Sequence, residues 1–133
     1  EVRGEAYMSR PDFECYNEQQ RALGLSTLVN PRNGAAGGIR QLDPTLAAKR
    51  LLSFFAYGLG EVKGWNIPST HSAMLDEISI LGLPVSDNRA VVYGAQELVE
   101  FHHKVSVKRD ALPFDIDGVV YKVNNRALQD ELG

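Results

Sequence analysis

The chain has 133 residues, a formal net charge of −3, 44% hydrophobic and 23% charged residues, the make-up of one globular domain large enough to bury a core. No apolar run approaches the roughly 20 residues that a bilayer helix needs, and the acidic balance excludes a generic basic nucleic-acid binder. One cysteine, Cys15, and three histidines, His71, His102 and His103, exclude a disulfide framework and a tetrathiolate zinc site, and fit a reducing compartment.

In chain order, Val2 to Met8 alternates as a strand, with Val2, Ala6 and Met8 on one face and Arg3, Glu5 and Tyr7 on the other. The opening residues already read as mid-strand and Gly133 follows directly on a helical pattern, so both ends are expected to be cuts within a larger protein. Ser9 and Pro11 start a helix with apolar positions Phe13, Tyr16 and Leu23, stopped at Gly24. Asn30 to Asp43 then sets small residues between Arg32 and Arg40, eight positions apart. If helical, that is a little over two turns, so both guanidiniums leave nearly the same face, which the small residues keep bare. Such a face suits polyphosphate or nucleic acid, since Arg binds phosphate oxygens bidentately. The plainer alternative is a Gly/Ala turn followed by a helix with two solvated arginines. Locally the charge supports the first, because residues 32–50 carry Arg32, Arg40, Lys49 and Arg50 against Asp43 alone.

Asp43-Pro44 starts a short helix reaching about Arg50, and aromatic-rich Leu52 to Gly58 reads as a strand. Gly60 to Ser69 is a surface connection. Thr70 can cap a helix carrying Met74, Leu75, Ile78 and Leu81, closed by Gly82, and Arg89 to Tyr93 reads as a brief strand. Gly94 leads into a helix with Leu98, Phe101, His102 and Val105 at helical spacing. Phe114 to Val123 alternates as strand material around Asp117-Gly118, and Arg126 to Leu132 is helical. These elements predict an α+β fold with mixed, largely antiparallel sheets and flanking helices.

Three clusters could carry chemistry. Arg3 and Glu5 share a strand face, where Glu5 could accept hydrogen bonds from ligand hydroxyls, or the pair could be a solvated edge. The arginine pair is followed by Tyr57, which could stack on a base, although an aromatic in a strand is more commonly core. Asp117-Gly118 could be a hairpin turn, but Lys122 then sits among Val119, Val120, Tyr121 and Val123. An ammonium in so apolar a strand calls for an anionic partner such as a phosphate.

The order and spacing of these clusters resemble the nucleotidyltransferase (adenylation) domain of bacterial NAD-dependent DNA ligases over essentially all of the chain. Val2-Arg-Gly-Glu5 looks like that family's third motif, and Asn30-Pro-Arg-Asn33 through Leu42-Asp43-Pro44 like its arginine-bearing segment. Phe54-Phe-Ala-Tyr-Gly58 looks like the adenine-stacking strand, and Phe114 to Lys122 like the fourth motif. Thr70-His71 and Leu83-Pro-Val-Ser-Asp87 echo the family as well. The resemblance implies part of a single adenylation domain of the DNA ligase/ATP-grasp-like nucleotidyltransferase fold, spanning residues 1–133. It implies that Glu5 binds the adenosine ribose, Tyr57 stacks on adenine, Val120 packs on the other face and Lys122 contacts the adenylate phosphate. Arg32, Arg40, Arg50 and Arg109 fall to DNA or phosphate, and Asp117 to metal or general-base steps.

The reaction so implied has a lysine attack NAD, passes AMP to the 5′-phosphate of a nick in double-stranded DNA, and lets the 3′-hydroxyl displace it. Mg²⁺ would be the metal, zinc would belong to segments outside this chain, and the enzyme would be a monomer of the bacterial cytoplasm with no membrane partner. The family's nucleophile lies in a Lys-x-Asp-Gly motif that does not occur here, since Asp115-Ile-Asp-Gly118 has no lysine in place. The chain alone is therefore expected to be inactive. The alternative function is a non-catalytic module that binds adenylate or nucleic acid. Gly34, Gly37 and Gly38 exceed the alanine-rich pattern of the family and would soften their helix by up to about 1 kcal/mol each.

Overall fold

The computed structural model describes all residues from Glu1 to Gly133. Two strands, β1 (Val2–Tyr7) and β2 (Ser53–Leu59), pair as an antiparallel sheet, and six α-helices complete the α+β fold. The chain forms two compact units, one of residues 1–5, 55–108 and 117–133, the other of residues 6–54 and 109–116. No helix is long and apolar enough to cross a membrane.

In the first unit, α4 (His71–Ile80) begins where Thr70 Oγ1 accepts from the Ala73 N–H, and the chain leaves it through Gly82 at φ +95. Both signals are local, and a side-chain cap satisfies one of the orphan N–H groups at a helix start. Met74 and Ile78, one turn apart, are 3% and 1% exposed and make the core with Ala56 of β2. Each buried side chain of that size contributes about 1.5–3 kcal/mol. Leu81 is exposed, because the helix ends before its face returns to the core. α5 (Gly94–Lys108) turns Leu98, Phe101 and Val105 inward. His102, expected on that face, is exposed, since it lies one position off the inward stripe. α6 (Arg126–Leu132) is capped by Asn125.

Two expected strands are absent. Residues 89–93 and 117–123 form no regular element and no ladder. Alternating valines specify a strand only where a neighbouring strand can exchange hydrogen bonds, and the sheet here ends at β1 and β2. Asp117-Gly118 consequently joins no hairpin.

In the second unit, α1 (Arg10–Ala22) is capped by Ser9, with Pro11 in its first turn, and ends before Gly24 at φ +68. Leu23 caps it and is exposed, so it adds nothing to the core. The buried position of α1 is Asn17, 6% exposed, whose amide donates to the Leu28 C=O at 3.0 Å and accepts from the Leu28 N–H at 2.8 Å. A satisfied amide fixes the returning loop without the penalty of an unpaired polar group. α2 (Pro31–Arg40) and α3 (Pro44–Ala48) both start at a side-chain cap followed by proline, Asn30 and Asp43. α2 packs against α1 and α3. Met8, 2% exposed, and Ala35 are buried here, and Tyr7 meets Phe114 edge-on at 5.3 Å.

Candidate functional site

β2 alternates, so buried Ala56 leaves Tyr57 pointing outward with about half of its surface accessible (49%). The irregular segment 119–124 is held opposite it by latches rather than by a ladder. Tyr121 Oη donates to the Leu98 C=O of α5 at 3.2 Å, and Gln129 Nε2 of α6 donates to the Val123 C=O. Asn124 accepts twice from the start of α4, its C=O from the His71 N–H at 2.7 Å and its Oδ1 from the Ser72 N–H at 2.9 Å. Held in this way, the segment sets Lys122 Nζ 5.4 Å from the Tyr57 ring centroid, a cation–π contact.

Tyr57, His71, Leu98, Val120, Lys122 and Asn124 belong to the wall of a cavity of about 730 Å³, within the range of small-molecule sites. Val120 is 78% exposed and offers a bare apolar surface. The wall carries Arg89 and Lys122 but no carboxylate. Arg89 is already paired with Asp76 at 2.6 Å. Lys122 is thus the cation of the wall without an acidic partner, and the cavity attracts anions.

His71 is half-buried, and its pKa is held below the ordinary imidazole value, first by burial and then by the charge of Lys122. Arg126 lowers it further, while the Tyr57 backbone and the Gln129 side chain oppose the shift. The neutral ring therefore faces the strand that carries Tyr57 and the helix that carries Gln129.

The residues singled out by sequence divide between the units. Tyr57, Val120 and Lys122 come together at the cavity. Glu5 and Asp117 lie in the same unit but are exposed and off its wall. Lys122 is itself exposed, not sunk among valines, because Val120, Tyr121 and Val123 are also open to solvent. A buried strand position was expected for it, and without a ladder to cover the segment that burial does not arise.

Arg32, Arg40, Arg50 and Arg109 belong to the other unit. Arg32 and Arg40 are exposed and carry no hydrogen-bond partner. They point away from the buried stripe of Gly34, Ala35 and Gly38, about 80° apart at 100° per residue. Gly34, Ala35 and Gly38 therefore serve packing on the opposite face, and only the exposed Ala36, midway between the two arginines, keeps their face bare. A β-carbon on Gly34 would come within 2.8 Å of Met8 Sδ. Arg109 sits on a single 3₁₀ turn (Arg109–Ala111) whose segment Arg10 clamps, Nε to Asp115 at 2.7 Å and Nη1 to the Asp110 and Leu112 carbonyls at 3.0 Å.

No three His, Cys, Asp or Glu side chains converge on a cation position. Asp117 belongs to no such group, so these residues do not by themselves form a Mg²⁺ cage. His71, Asn124, Gln129 and Arg89 shape the site and were not among the residues the sequence marked for binding. In the sequence, His71 stands out only as part of Thr70-His71, which echoes the family, and for its place directly after the Thr70 cap.

A family model described as NAD-dependent DNA ligase adenylation domain matches residues 1–133, the whole of the chain.

Proposed function

The chain belongs to the NAD-dependent DNA ligase adenylation-domain family, and from that premise we propose that its cavity takes the adenylate of NAD and that Arg32 and Arg40 face nicked DNA. NAD is the AMP donor of the family. The proposed reaction of the ligase carrying this domain joins a 5′-phosphate to a 3′-hydroxyl through a lysyl adenylate, its lysine lying outside residues 1–133.

The observation that carries the reading is the Tyr57–Lys122 pair at the cavity mouth. A half-exposed ring offers a stacking face for a base, Val120 offers an apolar surface, and the ammonium offers a charge-assisted hydrogen bond to a phosphate oxygen. Glu5 and Asp117 lie off the cavity wall, and the likeness to the family assigns them to the ribose hydroxyls and to proton transfer. Phosphoryl transfer develops charge on its oxygens, so a cation such as Lys122 held at the cavity lowers its barrier. On their own the residues of this chain act as the adenylate-binding part of that machinery.

The test separates the two substrates in the ligase carrying this domain. Glu5→Ala damages self-adenylation by NAD, whereas Arg40→Ala largely spares it and slows sealing of a nick. Each lost charge-assisted bond costs about 1.5–3 kcal/mol, roughly 10- to 150-fold. Failure of both variants at one step to the same extent would contradict the assignment.

A further inference from the structure

Of the basic residues on the second unit, Arg50 alone is committed internally at α2. Its side chain is half-buried, and Nη1 donates to the Gly34 C=O at 3.3 Å. The guanidinium lies 5.6 Å from the Tyr16 ring centroid of α1. Its own N–H donates to the Ala47 C=O at the end of α3. A β-carbon at Gly37 would overlap Nη1, and one at Gly38 would lie 3.4 Å from Arg50 Cδ and 3.1 Å from Leu52 Cδ1. The missing side chains thus form a slot along α2, and the Arg50 guanidinium fills it.

We infer that Arg50 is a positioning residue that braces α2 against α1 and α3 and so fixes Arg32 and Arg40, and that Gly37 is retained to seat it. The inference rests on the proposed DNA-facing role of α2. It assigns Arg50 no contact with the nucleic acid. The guanidinium lies over the Tyr16 ring and bonds the Gly34 carbonyl through Nη1, so it is engaged within its own unit. Arg32 and Arg40, by contrast, are free to meet phosphate. Glycines that cost helix propensity are explained by the same contact, since alanine at position 37 would expel the brace.

The test exploits the fact that Gly37→Ala removes the brace while keeping the charge. The variants are Gly37→Ala, Arg50→Ala, Arg50→Lys and the Gly37→Ala/Arg50→Ala pair, made in the ligase carrying this domain. Nick sealing by pre-adenylated enzyme, self-adenylation and thermal unfolding are read for each. A misplaced binding group costs up to about 100-fold, so Gly37→Ala and Arg50→Ala should each slow sealing by about 10- to 100-fold and affect self-adenylation far less. The pair should be no slower than Arg50→Ala, the non-additivity expected of two residues sharing one contact. Arg50→Lys should not restore sealing.

Normal sealing by Gly37→Ala beside a defective Arg50→Ala, rescue by Arg50→Lys, or losses that multiply in the pair would each overturn the inference and make Arg50 a direct phosphate contact. The unfolding data test the slot separately. Alanine at 37 should raise Tm when Arg50 is absent and not when it is present, and equal effects in both backgrounds would overturn the packing argument. Should Arg40→Ala seal normally while that thermal coupling holds, the DNA-facing reading fails and the brace stands as a structural contact only.

Discussion

Replacing Lys122 with Met removes an ammonium and keeps the stem. Apolar neighbours alone make Lys122 a buried charge whose removal leaves stability unchanged or higher. Its exposed position at 5.4 Å from the Tyr57 ring predicts otherwise. An exposed cation–π pair contributes about 0.5–1 kcal/mol, which corresponds to a Tm lower by about 1–5 °C in a chain of this size. The ligand term is larger, because losing a charge-assisted bond to phosphate costs about 1.5–3 kcal/mol, or roughly 10- to 150-fold in adenylate affinity. A third effect lies at His71. Burial is the first cause of its lowered pKa and the Lys122 charge the second, so Lys122→Met should move the titration upward but not to the ordinary value. Thermal unfolding, an AMP titration and an NMR pH titration of His71 read the three effects in one variant. A stability gain, or an unchanged His71 midpoint with unchanged AMP affinity, would refute the geometry on which the site is built.

The same histidine makes stability depend on pH. Its folded pKa lies below the ordinary 6.5, so the unfolded chain takes up the proton first and stability rises with pH. The contribution is intact above about 6.5 and is lost as pH falls toward the lowered folded value. Thermal unfolding between about pH 7.5 and 5.5 should show this decline, and His71→Gln should flatten it; an equally steep decline in the variant would assign the effect elsewhere. Incubated with labelled NAD and Mg²⁺, the chain of 133 residues should retain no label after denaturation, because it contains no Lys-x-Asp-Gly sequence. A label surviving denaturation would place a nucleophile within the chain.

Helix limits were legible because their signals are local. Ser9, Asn30, Asp43 and Thr70 cap helices in the structure, and Gly24 and Gly82 take the positive φ that ends them. The strand expected at 114–123 was not, since a strand is a property of two segments and alternation describes only one. Its replacement by latches from α4, α5 and α6 depends on His71 and Leu98, far from it in sequence, and on Gln129, six residues on. Tyr57 and Lys122 were legible as types, but their approach was not. The glycines of α2 showed the opposite failure. Their number suggested an open ligand face, whereas close packing against Met8, Arg50 and Leu52 is what requires them. Asn17 was passed over because a buried amide has no apolar signature.

The central claim is that adenylate occupies the cavity bounded by Tyr57, His71, Val120 and Lys122. The most direct measurement is residue-resolved NMR of the chain during titration with AMP. The account predicts saturable shifts concentrated on the Tyr57 ring, His71, Val120 and Lys122, with the His71 titration moved upward as a bound phosphate offsets the Lys122 charge. Saturable binding that leaves these residues unshifted, or shifts confined to residues 6–54, would contradict it.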